Sequence, residues 1–354
     1  MNPENISKLE NSIQKLRDKQ SRIYLLAQDT KGNATASVAY IYRLAMALRK
    51  SGYNTIILHE ESEYIGVSTW LGQEYMDDLP HQSIKGQNLE VSPEDFIIIP
   101  ELYGYIMSQI SKLGCGKIVL SQSYDNILET LQPGETWSQL GFFKCITTSE
   151  IQKEYITKLM RNVSVDILEP FISETFDKSK YPAKPIVAML SREQRDSMNL
   201  VKSFYIKYPQ YRWITFRDMR NLTEKQFADG LKDVCLSVWI DETSSYGTFP
   251  LESMKSGVPV LGLVPNVLPN WLNEGNGLWG NNKVEIVDFV ADYIQSWLED
   301  NIDVKIYDEM DKTVSTLPSK EKFDTEAVSL IEGYINTRLT SFEEQLSKLE
   351  TIEE

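Results

Sequence analysis

Between residues 237 and 262 the chain reads SVWIDETSSYGTFPLESMKSGVPVLG, an order of residue types suited to holding phosphate or sugar oxygens. An apolar run gives way to a small-residue loop containing Gly247, and a helix is expected to start at Pro250-Leu251-Glu252 before Gly257 and a second apolar run. A loop that feeds a helix N-terminus offers unpaired N–H groups and the positive end of the helix dipole to an anion. A carboxylate in the first turn of that helix can hold vicinal hydroxyls, and Glu252 is expected there. A first-turn glutamate is also an ordinary partner for a helix dipole. Gly247, Met254 and Gly257 around it favour a site.

From residue 22 onward, short apolar runs alternate with helical segments, the pattern of a parallel α/β sheet. Strands are expected at 22–29, 55–60, 95–101, 117–123 and 144–150, with helices over 37–50, 105–113 and 151–160 between them. A polar segment containing Pro182 and Pro185 reads as a linker. Beyond it, strands at 185–190, 211–216, 235–241 and 258–264 alternate with helices over 198–208, 223–234, 251–256 and 284–300. The expected fold class is α/β. The expected organisation is a Rossmann-like domain over 1–172 that includes an N-terminal helix, a second over 173–315, and a helical tail over 316–354. Periodicity alone does not decide whether the tail packs back on the first domain. A length of 354 residues suits two domains at roughly 100 to 200 residues each.

With 36 basic against 51 acidic residues the net charge is −15, and the averaged field repels nucleic acid and anionic membrane. Three cysteines without CxxC spacing suggest neither a disulfide framework nor a zinc site, and two histidines leave little for a metal cluster or a histidine triad. The charged start lacks an apolar h-region, and Pro259, Pro265 and Pro269 interrupt the longest uncharged stretch. A cytoplasmic chain without stable membrane insertion is therefore expected. The single G-x-G-x-x-G, residues 275–280, follows PNWLNE instead of a strand, so it reads as a glycine-rich surface turn and not as a dinucleotide site.

The 237–262 stretch resembles the donor-binding signature of GT-B glycosyltransferases, in particular the retaining family-four type (glycosyltransferases group 1), written E-G-F-G-x-P-x-x-E-A-M-A-x-G-x-P-V. Ser245-Tyr246-Gly247 stands for G-F-G, Glu252-Ser253-Met254 for E-A-M and Gly257-Val258-Pro259-Val260 for G-x-P-V, while Pro250 falls one residue late. The family's first glutamate falls on Ser244, and Glu242 lies two residues out of register. Residues 191–195, Ser-Arg-Glu-Gln-Arg, resemble the G-R…K segment whose cations hold the diphosphate.

The resemblance implies a GT-B architecture of two Rossmann-like doubly wound parallel-sheet domains facing a cleft, and hexose transfer from a nucleotide-diphosphate sugar, a UDP-sugar by expectation, to an acceptor hydroxyl. It further implies retention of configuration, independence of metal and no cofactor beyond the nucleotide-sugar co-substrate. Arg192, Arg195 and Glu252 would carry catalysis, the arginines on the leaving diphosphate and Glu252 on the ribose hydroxyls. Ser244, Ser245, Tyr246, Gly247, Thr248, Phe249 and Glu252 would bind the donor.

Ligands of open α/β sheets gather at the carboxyl ends of strands. That rule nominates Asp29, Gly32, His59, Glu101 and Gln122, with Ser121, Tyr124 and Thr148, for the acceptor side. The acceptor itself stays open between a glycan, a lipid-linked sugar, a small molecule and a modified nucleobase. Trp271 and Trp279 suit either stacking on a ligand or burial beneath a turn. Two alternatives remain: a non-catalytic GT-B scaffold that binds a nucleotide-sugar or a protein partner, and a nucleotide-sugar epimerase or phosphorylase on the same fold.

Overall fold

The run Phe96–Pro100 (FIIIP) has no polar side chain on either face, and all of its residues are buried. A strand of this kind belongs in a parallel sheet covered by helices on both sides. The computed structural model, which describes residues 3–85, 89–178, 180–241 and 246–353, contains two such sheets. The chain divides into two compact units, Met1–Pro170 with Glu321–Glu354, and Phe171–Lys320.

Unit 1 holds seven strands: β1 (Arg22–Leu26), β2 (Asn54–His59), β3 (His81–Ser83), β4 (Phe96–Pro100), β5 (Gly116–Ser121), β6 (Lys144–Thr147) and β7 (Ser164–Ile167). Their order is β3-β2-β1-β4-β5-β6-β7, with every neighbouring pair parallel. Its helices are α1 (Pro3–Arg17), α2 (Ala36–Lys50), α3 (Glu74–Asp77), α4 (Gly104–Gln109), α5 (Tyr124–Thr130) and α6 (Glu150–Leu159), joined by the last helix of the chain, α12 (Lys320–Glu353). That last helix is tied down by Tyr334, whose hydroxyl donates to Asp166 at 2.8 Å, and by Phe323, whose ring meets Tyr40 edge-on at 5.6 Å.

Unit 2 holds β8 (Lys184–Leu190), β9 (Thr215–Asp218), β10 (Val234–Trp239), β11 (Val260–Leu263) and β12 (Leu278–Gly280), in the order β12-β11-β10-β8-β9 and all parallel. Its helices are α7 (Gln194–Lys207), α8 (Glu224–Leu231), α9 (Thr248–Lys255), α10 (Lys283–Leu298) and α11 (Lys305–Thr316). Strand β10 shows the layering. Leu236 and Val238 join one core with Phe204 of α7 and Ile286 of α10, while Trp239 joins a second core with Leu231 of α8 and Met254 of α9. Alternation along a strand sends neighbours to opposite faces, so one all-buried strand supplies both cores.

Both sheets contain a point where the strand order reverses. In unit 1 the chain runs outward from β1 to β3 and then returns to β4 on the other side of β1; in unit 2 it runs from β8 to β9 and returns to β10 on the other side of β8. Each reversal leaves the carboxyl ends of two adjacent strands without a connection crossing over them, a crevice where ligands of such sheets bind.

Four sequence expectations need correction. The strand expected at 211–216 begins at Thr215, because Pro209–Tyr211 forms a turn of 3-10 helix. The helix expected over 251–256 begins at Thr248, since a proline within the first turn forfeits no needed hydrogen bond and Pro250 does not block it. Glu252 consequently lies in the second turn, and the first turn holds no acidic residue. The 275–280 glycine motif is not a surface turn. Asn276 is fully buried, its Nδ2 donating to the Trp271 carbonyl at 2.6 Å and to Thr313 Oγ1 at 3.0 Å, and Leu278–Gly280 pairs with β11 as an edge strand. A Cβ on Gly277 would stand 2.6 Å from the Trp279 ring, so this backbone approach requires glycine.

Candidate functional site

The register of unit 2 pairs Leu190 at the end of β8 with Trp239 at the end of β10. Two residues beyond each stand Arg192 and Asp241, on the two sides of the switch-point crevice. The Arg192 backbone N–H donates to Asp241 Oδ1 at 2.8 Å, and Trp239 Nε1 donates to Asp241 Oδ2 at 3.2 Å. Burial pushes the Asp241 carboxyl above its ordinary value, and the Arg192 N–H pulls against that rise. Ser191 Oγ lies 2.7 Å from the Glu193 carbonyl, to which it donates, and 2.8 Å from Ser197 Oγ, which fixes the start of α7. Arg192 and Arg195 are both exposed, and neither guanidinium has an ion-pair partner among the described residues, whereas the adjacent Asp196 is paired with Lys283 at 3.1 Å. Two exposed guanidinium groups at a strand end and a helix start offer N–H donors and positive charge to an anion.

Across the crevice, α9 begins immediately after Gly247, which has left-handed backbone angles, φ 75° and ψ 65°, and no side chain to cap the helix. A Cβ there would lie 3.0 Å from the Trp271 ring and 3.1 Å from the Trp239 ring, so sterics and backbone angle both demand glycine. The first-turn N–H groups of Thr248 and Phe249 lie at the positive end of the helix dipole, and Pro250 contributes none. Phe249 is buried among unit 2 apolar groups, so its backbone rather than its ring is available to a ligand. Glu252 is half-buried on the second turn. Ser244 and Ser245 lie outside the described residues, as does Glu242.

Behind the loop three tryptophans pack together. Trp239 and Trp271 have ring centroids 6.2 Å apart, and Trp279 lies 6.4 Å from the first and 5.9 Å from the second. Trp239 and Trp271 are almost fully buried, which favours packing over stacking on a ligand. Asp241 and Trp239 are site residues that the sequence reading did not single out. The strand-end rule that nominated residues in the first domain would have found Asp241 had it been applied to the end of β10.

The acceptor-side candidates lie around the carboxyl ends of the unit 1 strands. Asp29, beyond β1, accepts from the N–H groups of Lys31 and Gly66, each at 3.2 Å, and of Ile65 at 3.1 Å. Gly32 follows in the same turn with φ 83°. Glu101, beyond β4, is 2% exposed. Its Oε1 accepts from Ser123 N–H at 2.7 Å and Gln122 N–H at 3.1 Å, while Oε2 has no partner. Burial raises this carboxyl to about 7 against the opposing pull of the backbone N–H groups. Gln122 Nε2 donates to the Ser37 carbonyl at 3.1 Å, and Thr148 is occupied with Gln152 at 2.8 Å. His59 is 1% exposed, with Nε2 2.8 Å from His81 Nδ1 and its ring stacked on Tyr64 at 3.7 Å. Burial, with His81 second, lowers its pKa to about 4. The ring is a neutral part of a packed stack at the end of β2. Asp29, Glu101, Gln122 and His59 thus make their contacts within the protein.

Among the described residues no group of three or more His, Cys, Asp or Glu side chains is arranged to hold a metal ion, and no helix is long and apolar enough to cross a membrane. No protein-family model matches the chain, and no curated protein matches it in sequence. Solved structures do match in shape. Sucrose-phosphate synthase from Thermosynechococcus elongatus superposes with a TM-score of 0.66 at 11% identity, over 90% of this chain and 100% of that one. Anabaena HepE in complex with UDP superposes at 0.58 and 10% identity, over 90% of this chain and 100% of that one. A glycosyltransferase from Rickettsia africae superposes at 0.55 and 12% identity, over 89% of this chain and 98% of that one. The fold is GT-B. Likeness at this level of identity establishes the fold alone, and within the GT-B fold the unit 2 switch point carries exposed arginines after β8 and the start of α9 after β10.

Proposed function

We propose that the chain is a glycosyltransferase that moves a hexose from a nucleoside-diphosphate sugar, a UDP-sugar, to an acceptor hydroxyl with retention of configuration and without a metal. The observation that carries this reading is the pairing, at one switch-point crevice, of Arg192 and Arg195 at the β8 end with the uncapped start of α9 beyond the β10 end. An exposed cation pair opposite helix N–H groups suits a diphosphate. Negative charge developing on the leaving diphosphate strengthens these contacts in the transition state relative to the bound donor. Glu252, one turn further along α9, takes the ribose hydroxyls. The leaving phosphate oxygen assists removal of the acceptor proton, so the protein itself need not supply a histidine base. Two HepE structures support the reading, since one is a complex with UDP-glucose and the other a complex with UDP and glucose. The acceptor is a hydroxyl of a glycan, a lipid-linked sugar, a small molecule or a modified nucleobase.

The test is a thermal-shift panel of nucleoside diphosphates and nucleotide-sugars, because a ligand of the folded state raises its apparent stability. Stabilisation by a UDP-sugar that is lost in Arg195→Ala and Glu252→Ala supports the donor site. Indifference to every nucleotide ends the transferase reading. Ser244 in place of the signature's first glutamate favours one second reading, a GT-B scaffold that binds a nucleotide-sugar without turnover. Hydrolysis of the bound donor by the wild-type chain would exclude it.

A further inference from the structure

We infer that Trp239 and Trp271 are positioning residues of the proposed donor site, holding Asp241 just beyond β10 and Tyr246 just before α9, the two flanks of the stretch that joins this strand to this helix. An indole has one N–H to give, and most buried ones are given to an acceptor. In this chain both are directed to the flanks of the same stretch. Trp239 Nε1 donates to Asp241 Oδ2 at 3.2 Å on one side, and Trp271 Nε1 donates to the Tyr246 carbonyl at 2.6 Å on the other. The two rings pack on each other at 6.2 Å, so the two flanks are fixed to one block. Asp241 extends that block to the arginine side, because its other oxygen holds the Arg192 N–H at 2.8 Å. Gly247 closes against both rings, and an added Cβ would meet each within about the same short distance, 3.0 and 3.1 Å. Preset flanks lower the ordering cost that donor binding would otherwise carry. The inference rests on the donor-site reading above.

The third ring supplies the control. Trp279 belongs to the same cluster, but its Nε1 donates to the Asn273 carbonyl at 2.9 Å and to Asn276 Oδ1 at 3.2 Å, away from either flank. Trp271→Phe and Trp279→Phe each keep a ring and remove an indole N–H. UDP-glucose affinity should fall about fivefold in Trp271→Phe, the loss expected for one neutral hydrogen bond, and stay unchanged in Trp279→Phe although both lower the melting temperature. In the ligand-free chain, amide hydrogen exchange at residues 246–249 should accelerate in Trp271→Phe and not in Trp279→Phe. Trp239→Phe repeats the test from the other flank. Equal effects of Trp271→Phe and Trp279→Phe on affinity or on exchange would overturn the inference. Should the wild-type chain bind no nucleotide, the donor reading fails, and the exchange comparison still decides whether the tryptophans hold the flanks.

Discussion

At the unit 1 switch point the ends of β1 and β4 carry carboxylates turned back on their own chain, Asp29 onto the Lys31, Ile65 and Gly66 N–H groups and Glu101 onto those of Gln122 and Ser123. At the unit 2 switch point the ends of β8 and β10 carry Arg192 and Asp241 joined to each other, with the guanidinium of Arg192 and that of Arg195 outside and exposed. The topology of the two places is the same. One turns its carboxylates onto its own loop N–H groups; the other uses a half-buried carboxylate as the tie, and its two arginines are exposed without an ion-pair partner among the described residues. Strand order thus says where a ligand can sit, and the side chains that are left over after the loops are tied say what kind of ligand it is.

The sharpest way to break the comparison is to remove the buried acid of unit 1. Glu101 titrates near 4.5 in the unfolded chain and about 7 in the fold, so the folded state holds its proton more tightly. Its contribution is complete below pH 4.5 and is lost as pH rises through 7, about 3 kcal/mol in all. His59 works in the opposite direction: lowered from 6.5 to about 4, it costs stability as pH falls through that window. Urea unfolding of Glu101→Gln against wild type should show the variant gaining relative stability from pH 4.5 to 8. A difference independent of pH would mean that Glu101 does not titrate in this range.

In unit 2 the corresponding change is Arg195→Ala, expected to weaken UDP-sugar binding about 30-fold by removing a charge-assisted contact. Asp29→Asn in unit 1 should leave that affinity alone; titration calorimetry on both separates the two switch points. A smaller effect distinguishes two left-handed glycines. Gly247→Ala should cost about 2 kcal/mol, since it adds a clash with two tryptophan rings to the backbone penalty. Gly32→Ala should cost about 1 kcal/mol, because the nearest atom to its added Cβ is Thr69 Oγ1 at an ordinary 3.5 Å. A change of the same size is Ser149→Ala, which removes the α6 cap bond from the Gln152 N–H and should cost about 1 kcal/mol with no change in nucleotide affinity.

The two parallel sheets were legible because apolar runs such as that of β4, and that of β10 broken only by Ser237, suit strands buried on both faces, and the helices between them supply the crossovers. The glycine loop and the arginine pair were legible as motifs. The start of α9 was misread by three residues, because Pro250 suits the third helical position as well as the first. Helix α11, and strand β3 with its His81, passed unnoticed: β3 is three residues long, and helix α11 follows a polar run without a side-chain cap at its start. The buried state of Asn276 had no local signal, because both acceptors of its amide, the Trp271 carbonyl and Thr313, depend on packing.

By itself the sequence determined most of the strands and helices, that the chain forms two α/β units, and that within residues 237–262 a strand is followed by a helix and a second strand. Those features depend on side-chain periodicity and on neighbours a few residues away. Only the tertiary structure decided that Asp241 accepts from the Arg192 N–H, that the Trp271 indole donates to the Tyr246 carbonyl, that His59 meets His81, and that Glu101 is buried with one oxygen unpaired. Each of those depends on strand register, which brings residues tens of positions apart to adjacent strand ends, and on burial, which sets the strength of a charge only after the chain has closed around it.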